Sequence, residues 1–194
     1  MEGKNHSKAG RETLIKSVAQ AIPTYSMSIF KLPRRVCEGI NSVLAKYWWE
    51  QTQNEKKIHW INWNRLYTPK SKGGMGFRDI CAFNLTMLAK QAWRLVTGSH
   101  SLFFRVYKTR YFPCCSFMDA ELGHNPSFVW HSLLVARDLI QEGSLWKIGN
   151  GQSVQVNYNK WLPHPPLFKP GANTNMKVAE LIHHQTMQWN RPLL

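Results

Sequence analysis

The amino-acid sequence predicts a mainly α-helical fold with a small β-hairpin towards its end, and three observations support this fold class. Apolar residues recur at helical spacing in several stretches between residues 10 and 143. Proline, glycine and N-capping residues stand at the ends of those stretches. The run LWKIGNGQSVQV instead alternates apolar and polar residues around a Gly-Asn-Gly turn. With 194 residues, 43% of them hydrophobic, the chain is long and apolar enough to bury a core.

The first fifty residues are predicted to form helices that prolines separate. The stretch GRETLIKSVAQAI has helical periodicity and ends or kinks at Pro23. A second short segment, TYSMSIFKL, stops at Pro33, which suits the first turn of a third helix, RRVCEGINSVLAKYWW. The apolar face predicted for this third helix comprises Val36, Ile40, Val43, Leu44 and Tyr47.

The following elements are predicted from their terminal residues. The run KIHWINWNRLY fits a short strand or an irregular aromatic hook, and the pattern does not decide between them. Asp79 caps a helix that Gly98 closes, another helix starts at Ser101, and Ser127 caps FVWHSLLVARDLI. The β-hairpin is expected at residues 145–157, and the proline-rich stretch from Trp161 is expected to be extended, with one weak helix at 178–184. These patterns divide the chain into segments 1–57, 58–143 and 144–194.

The positive charge is concentrated in the first part of the chain. Residues 1–110 hold 19 Lys and Arg against 6 Asp and Glu, whereas the remainder holds 6 against 5. Such a field attracts polyanions, and aromatic residues interleaved with the charge favour single-stranded nucleic acid. A solvated basic surface without a partner is the alternative. The candidate residues for binding RNA or DNA without sequence specificity are Lys8, Arg11, Lys16, Lys31, Arg34, Arg35, Lys56, Lys57, Trp60, Lys72 and Arg78.

No catalytic, metal-binding or cofactor-binding site is predicted. Two-metal phosphodiester chemistry needs converging carboxylates, but the chain has three Asp, none adjacent to another. Cys114 and Cys115 are too close in sequence to share one tetrahedral zinc ion well, and His131 falls within an apolar helix. The glycines of KGGMGF match no phosphate-binding motif, so they indicate a structural turn, although a phosphate contact there stays open.

The sequence also predicts no membrane segment and an intracellular setting. The longest uncharged stretch near the start, residues 17–30, is 14 residues long and contains Pro23. No secretory signal precedes it, and the four cysteines follow no disulfide-scaffold spacing, so reduced thiols are expected.

The chain resembles plant LINE-type (non-LTR) retrotransposon reverse transcriptases, in the region between the palm and the ribonuclease H-like part. The resemblance runs from about Ser7 to about Leu162 and includes SKAGRETLIKSVAQAIPTYSMSIFKLP, INSVLAKYWWE, KIHWINWNRLYTPKSKGGMGFRDICAFNLTMLAKQAWRL, RYFP, PSFVWHSLL and LWKIGNGQSVQV. Short plant mitochondrial reading frames are similar too. The family's catalytic Tyr-x-Asp-Asp motif has no match in this sequence.

The resemblance implies a helical thumb-like segment, followed by a connecting region, in a fragment that lacks the polymerase palm. A thumb would grip the backbone of template and primer, which suits a non-catalytic, nucleic-acid-binding remnant. Two alternatives stay open: an inert vestige, or a trans-acting part of a split polymerase. A face that once packed on the palm would be exposed and would promote self-association. By resemblance, the compartment is mitochondrial or nuclear.

Overall fold

The structure is a computed structural model that describes residues 7–49, 60–98, 100–167, 175–183, 186 and 188–190. It divides the chain into two compact units, Met1–Gln141 and Glu142–Leu194. The predicted fold class is confirmed, because helices dominate and a small antiparallel hairpin lies near the C-terminus. The helices are α1 (Lys8–Leu14), α2 (Thr24–Met27), α3 (Arg34–Trp49), α4 (Ile80–Val96), α5 (Leu102–Tyr111), α6 (Phe128–Val135) and α7 (Arg137–Gly143).

Helix α1 begins where Ser7 caps it, since the Ser7 hydroxyl accepts a hydrogen bond from the Gly10 amide at 3.2 Å. One turn of π-helix, Ile15–Ala19, continues it. Pro23 then stands directly before α2, as predicted from its inability to continue a helix. The chain therefore turns a corner between α1 and α3.

Helix α3 has the predicted bounds, but only part of the predicted apolar face is buried: Leu44 is buried, and Ile40 packs against the core. Its buried residues are Cys37, Leu44 and Trp48, whereas Val36 and Val43 are exposed. The helix carries two apolar stripes about one residue apart, which is about 100° around the axis. Neighbouring segments cover the stripe that includes Trp48, and the helix sequence by itself could not select it.

Caps delimit the later helices as predicted. The Asp79 carboxylate accepts from the Cys81 amide at 2.9 Å, and the Ser101 and Ser127 hydroxyls accept from amides three residues on. Gly98, with φ at +63°, follows the end of α4. The single helix expected after Ser127 is instead broken at Ala136 into α6 and α7.

The first unit has two main apolar clusters. One surrounds Trp130, whose ring stacks on Tyr111 and Phe112 at centroid distances of 4.6 Å and 5.8 Å. The other joins Ile15, Leu44 and Trp48 with two residues beyond position 57, Leu66 and Phe77. Residues 63–67 form a 3-10 helix, Trp63–Tyr67, rather than a strand, and a second 3-10 turn follows at Lys70–Lys72.

In the second unit the position predicted for the hairpin is wrong. The paired strands are β1 (Ile182–His183) and β2 (Gln188–Trp189), in antiparallel register Ile182↔Trp189. Val154 and Val156 do alternate inward as expected, but their backbones bond residues 176–178 instead of the near side of the turn. Local alternation identified the buried residues, whereas the pairing partner was distant in sequence. The helix expected near 178 is a 3-10 turn, Val178–Leu181.

Candidate nucleic-acid interface

Two cations of α1, Lys8 and Arg11, contact the C-terminal end of α3 through their side chains. The Lys8 ammonium donates to the Trp48 carbonyl at 3.0 Å and sits 4.8 Å from the centre of the Trp48 ring, and the Arg11 guanidinium donates to the same carbonyl at 3.4 Å. The last carbonyls of a helix lack partners within the helix and attract cations. Arg11 is 4% exposed, so it stabilises the end of α3 and offers little surface for the binding that the sequence predicts for it.

Glu12 joins α1 to the turn that follows the 3-10 helix Trp63–Tyr67. Its carboxylate contacts the Lys16 and Lys70 ammonium groups, each at 2.7 Å. Hydrogen bonds from these two lysines hold the pKa of Glu12 below its ordinary value, with Lys16 contributing most. Part of the positive charge of Lys16 is therefore already balanced by a carboxylate.

Lys31 lies on the segment that leads into α3, and Arg34 and Arg35 are the first two residues of that helix. All three side chains are exposed. Arg34 pairs with Glu38 at 2.8 Å, and this pair raises the pKa of Arg34, while its side chain stays 88% exposed. For Arg35, no polar contact with another residue is found among the described residues. Arg34 and Arg35 project from the first turn of α3, where flexible cations can reach a phosphate.

The backbone that carries Lys31 is held from two sides. The buried Asn84 amide donates to the carbonyls of Met27 and Phe30 at 2.8 Å and 2.9 Å and accepts from the Leu32 amide at 2.8 Å. The Lys31 amide itself donates to the buried Ser132 hydroxyl of α6 at 2.9 Å. Sequence reasoning missed both anchors. The available signal was that Asn84 stands four residues from Ile80 and from Leu88, on the buried face of α4.

The remaining candidates are spread along residues 60–78. Trp60 is 80% exposed, and Lys72 and Arg78 are exposed, with the Arg78 guanidinium 4.5 Å from the Phe83 ring centre. Lys56 and Lys57 lie outside the described residues. In KGGMGF the amides of Met75 and Phe77 donate to the Leu66 carbonyl, and the Gly76 amide donates to Thr68. These backbone amides are already used, which agrees with the structural turn.

A groove of about 990 Å³ opens beside Lys31 and Arg34, and we call it the α3–α4 groove. Helix α3, the 3-10 helix Trp63–Tyr67 and the start of α4 form its walls. Its lining residues that carry polar or aromatic groups are Lys31, Arg34, Cys37, Glu38, Asn41, Ser42, Trp63, Asn64, Tyr67, Asp79, Cys81 and Asn84. Two side chains in this groove have strongly raised pKa values, which indicates walls that are poorly hydrated.

The first of these groups is the Cys37 thiol, whose pKa is raised to about 12 by burial and then by contact with the Cys81 thiol. The second is the Tyr67 hydroxyl, whose pKa is raised to about 12 by burial and then by the Asp79 carboxylate. Both groups are therefore neutral at physiological pH. Cys37 and Tyr67 therefore add uncharged groups to a wall that also contains Glu38 and Asp79, and Lys31 and Arg34 add positive charge.

Large apolar side chains are also exposed just before α2, on α2 and on α3. Ile22 is 76% exposed, Tyr25 79% and Val43 67%. Such surface can mark a contact with another protein segment. The predicted self-association stays a prediction, which sedimentation of the purified chain over a concentration series would test.

Two further observations bound the chemistry of the described part of the chain. Among those residues, no three His, Cys, Asp or Glu side chains come together in a way that could hold a metal ion. Within the same ranges, none of the helices is both long and apolar enough to cross a membrane.

The chain is mainly helical and basic, and comparison with known proteins gives its family. The chain is 38% identical over 152 residues to the "Uncharacterized mitochondrial protein AtMg00310" of Arabidopsis thaliana, covering 76% of this chain and 99% of that protein. The chain belongs to the family of that mitochondrial protein. No family model and no solved structure matches it.

A longer relative is also similar. The "Putative ribonuclease H protein At1g65750" of Arabidopsis thaliana is 29% identical over 170 residues, which is 86% of this chain. The matched region is 27% of the length of that protein. Both relatives come from a plant. Similarity to these two proteins together is consistent with a transposon-derived segment.

Proposed function

We propose that this chain is a non-catalytic segment derived from a retrotransposon reverse transcriptase that binds RNA or DNA through the phosphate backbone. The observation that carries the proposal is the exposed group Lys31, Arg34 and Arg35, of which Lys31 and Arg34 line the α3–α4 groove, within the strongly basic first part of the chain. Cations on flexible side chains neutralise phosphates without reading the base sequence.

The contacts and exposure of the cations support a narrower set of phosphate-binding residues. Lys8, Arg11 and Lys16 are engaged with the Trp48 carbonyl or with Glu12, so we assign them to positioning of α1 rather than to binding. The exposed cations that flank the groove and the KGGMGF turn remain as contacts, and Trp60 adds an exposed ring for stacking. The proposed contact residues are Lys31, Arg34, Arg35, Lys72 and Arg78.

Derivation from a reverse transcriptase is supported by the resemblance of residues 7–162 and by the similarity to a longer protein whose name refers to ribonuclease H. The absence of catalysis is proposed from the sequence, because three dispersed Asp residues do not supply the carboxylates that two-metal chemistry requires.

The test is fluorescence anisotropy of a labelled single-stranded RNA against the full chain over a series of salt concentrations. We expect saturable binding that weakens steeply with salt, because each phosphate contact releases counterions. Arg35→Ala should lower the slope of log K against log salt by about 0.7 on a single strand. Lys147→Ala removes one exposed charge from the second unit and is the matched control, with an unchanged slope.

Either of two results would contradict the proposal. Absence of binding near physiological salt would favour an inert vestige. Binding that does not respond to salt would exclude phosphate contacts as the source of affinity.

A further inference from the structure

We propose that the α3–α4 groove receives one unstacked base of a bound single strand, an inference that rests on the nucleic-acid binding proposed above. Three features lie together in this groove: cations at the mouth, aromatic rings in the wall and a buried amide oxygen without a partner. A phosphate, a base plane and a base edge are the chemical groups that complement them.

The size and the wall of the groove suit a base. Its volume of about 990 Å³ is at the upper end of the range of roughly 300–1,000 Å³ typical of small-ligand clefts, so one base fits with room to spare. Trp63 and Tyr67 line it, and packing holds the Trp63 ring in place, because it stacks on Phe77 at 5.2 Å and meets Tyr67 edge-on at 6.4 Å. A ring that is already fixed loses little conformational entropy when a base packs against it.

Asn41 supplies the group that needs a partner. Its Oδ1 atom is buried and has no hydrogen-bond partner among the described residues. An unsatisfied buried acceptor is costly, so rotation of the Asn41 side chain towards a ligand that offers a donor is favoured. A side-chain amide carries an acceptor and two donors, and rotation about its side-chain bonds can present them to the polar edge of a base.

The charges around the mouth are consistent with an adjoining phosphate. The Lys31 amide donates to Ser132, and the Leu32 amide donates to Asn84. The backbone from which the Lys31 side chain extends is therefore held in a defined position. Two carboxylates also line the groove, and both are engaged: Glu38 pairs with Arg34, and Asp79 caps α4. The strand would therefore place its backbone at the mouth and one base inside.

The first experiment compares Asn41→Ala with the wild-type chain on two probes of equal length and charge. One probe is a labelled single strand with bases, and the other is the same strand built from abasic sugars. We expect the wild type to bind the abasic strand about tenfold more weakly, the loss of one base–aromatic stack. Asn41→Ala should bind the normal strand about fivefold more weakly and the abasic strand as the wild type does. Asn157→Ala, an exposed amide in the second unit, is the matched control.

The outcomes separate the two proposals. Equal binding of the two strands, or unchanged binding by Asn41→Ala, would overturn the base site and leave backbone binding intact. Failure of the wild type to bind either strand would overturn the proposed function itself, and the base site with it.

A second measurement needs no substitution and covers the case in which Asn41→Ala does not fold. The wild-type chain is irradiated with a strand that carries 5-iodouracil, and the attached residue is identified by mass spectrometry. Crosslinks at Trp63 or Tyr67 support the base site. Crosslinks confined to the exposed Trp60 would overturn it, since that ring does not line the groove.

Discussion

Replacement of Asn84 tests whether the segment that carries Lys31 is held in place by buried hydrogen bonds. Asn84 is 3% exposed and makes three hydrogen bonds of 2.8–2.9 Å to the backbone of residues 27–32. Asn84→Ala leaves two carbonyls and one amide of that segment without their partner. At about 1 kcal/mol for each neutral hydrogen bond, the expected loss of unfolding free energy is about 3 kcal/mol.

Urea unfolding followed by far-UV circular dichroism measures this loss. With a slope of about 2 kcal/mol per molar urea, the midpoint should fall by roughly 1.5 M. Thr86→Ala is the control on the same helix, because Thr86 is exposed and its replacement should change stability by less than about 0.5 kcal/mol.

Asn84→Asp separates hydrogen bonding from packing, because the side chain keeps its size. A carboxylate cannot donate to the two carbonyls that now receive the amide hydrogens, so Asp should be at least as destabilising as Ala. A loss below about 1 kcal/mol in both variants would refute the reasoning, because unpaired buried groups at this site would then carry no measurable cost.

Three further predictions concern charge and reactivity. Burial raises the pKa of Cys37 from 9.0 to about 12, so its thiolate should be about a thousandfold scarcer at neutral pH. Iodoacetamide should therefore modify the exposed Cys114 and Cys115 first, as peptide mapping would show. Early labelling of Cys37 would contradict this. The lowered pKa of Glu12 means that its ion pairs stabilise the fold fully above pH 4.5, the ordinary pKa, and that this stabilisation is lost as the pH falls through the lower pKa of the folded state. Glu12→Gln should therefore flatten the pH dependence of the urea midpoint. An unchanged pH profile would show that these ion pairs do not contribute to stability. A further variant replaces four cations together by Ala: Arg34, Arg35, Lys56 and Lys57. It should bind all sequences more weakly and show a flatter salt slope, whereas unchanged affinity in a folded variant would remove these residues from the proposed interface.

Several features of the fold followed from the sequence because their causes are local. A cap acts on amides within three residues, so Asp79, Ser101 and Ser127 could be identified as helix starts without knowledge of the fold. The full extent of α3 followed from Pro33 and the apolar periodicity for the same reason. The distribution of charge between the two parts of the chain was likewise a property of the sequence itself.

Tertiary structure decided the features that depend on distant neighbours. Which stripe of α3 is buried depended on the segments that cover it, and the backbone partners of Val154 and Val156 lie at residues 176–178, twenty or more positions further along the chain. The sequence predicts Arg11 as a binding cation, whereas the contact of its guanidinium with the end of α3 is set by the tertiary structure. Helical spacing could place Asn84 on the buried face of α4, but the partners of Asn84 and the unpaired state of Asn41 depend on the groups that the fold places around them.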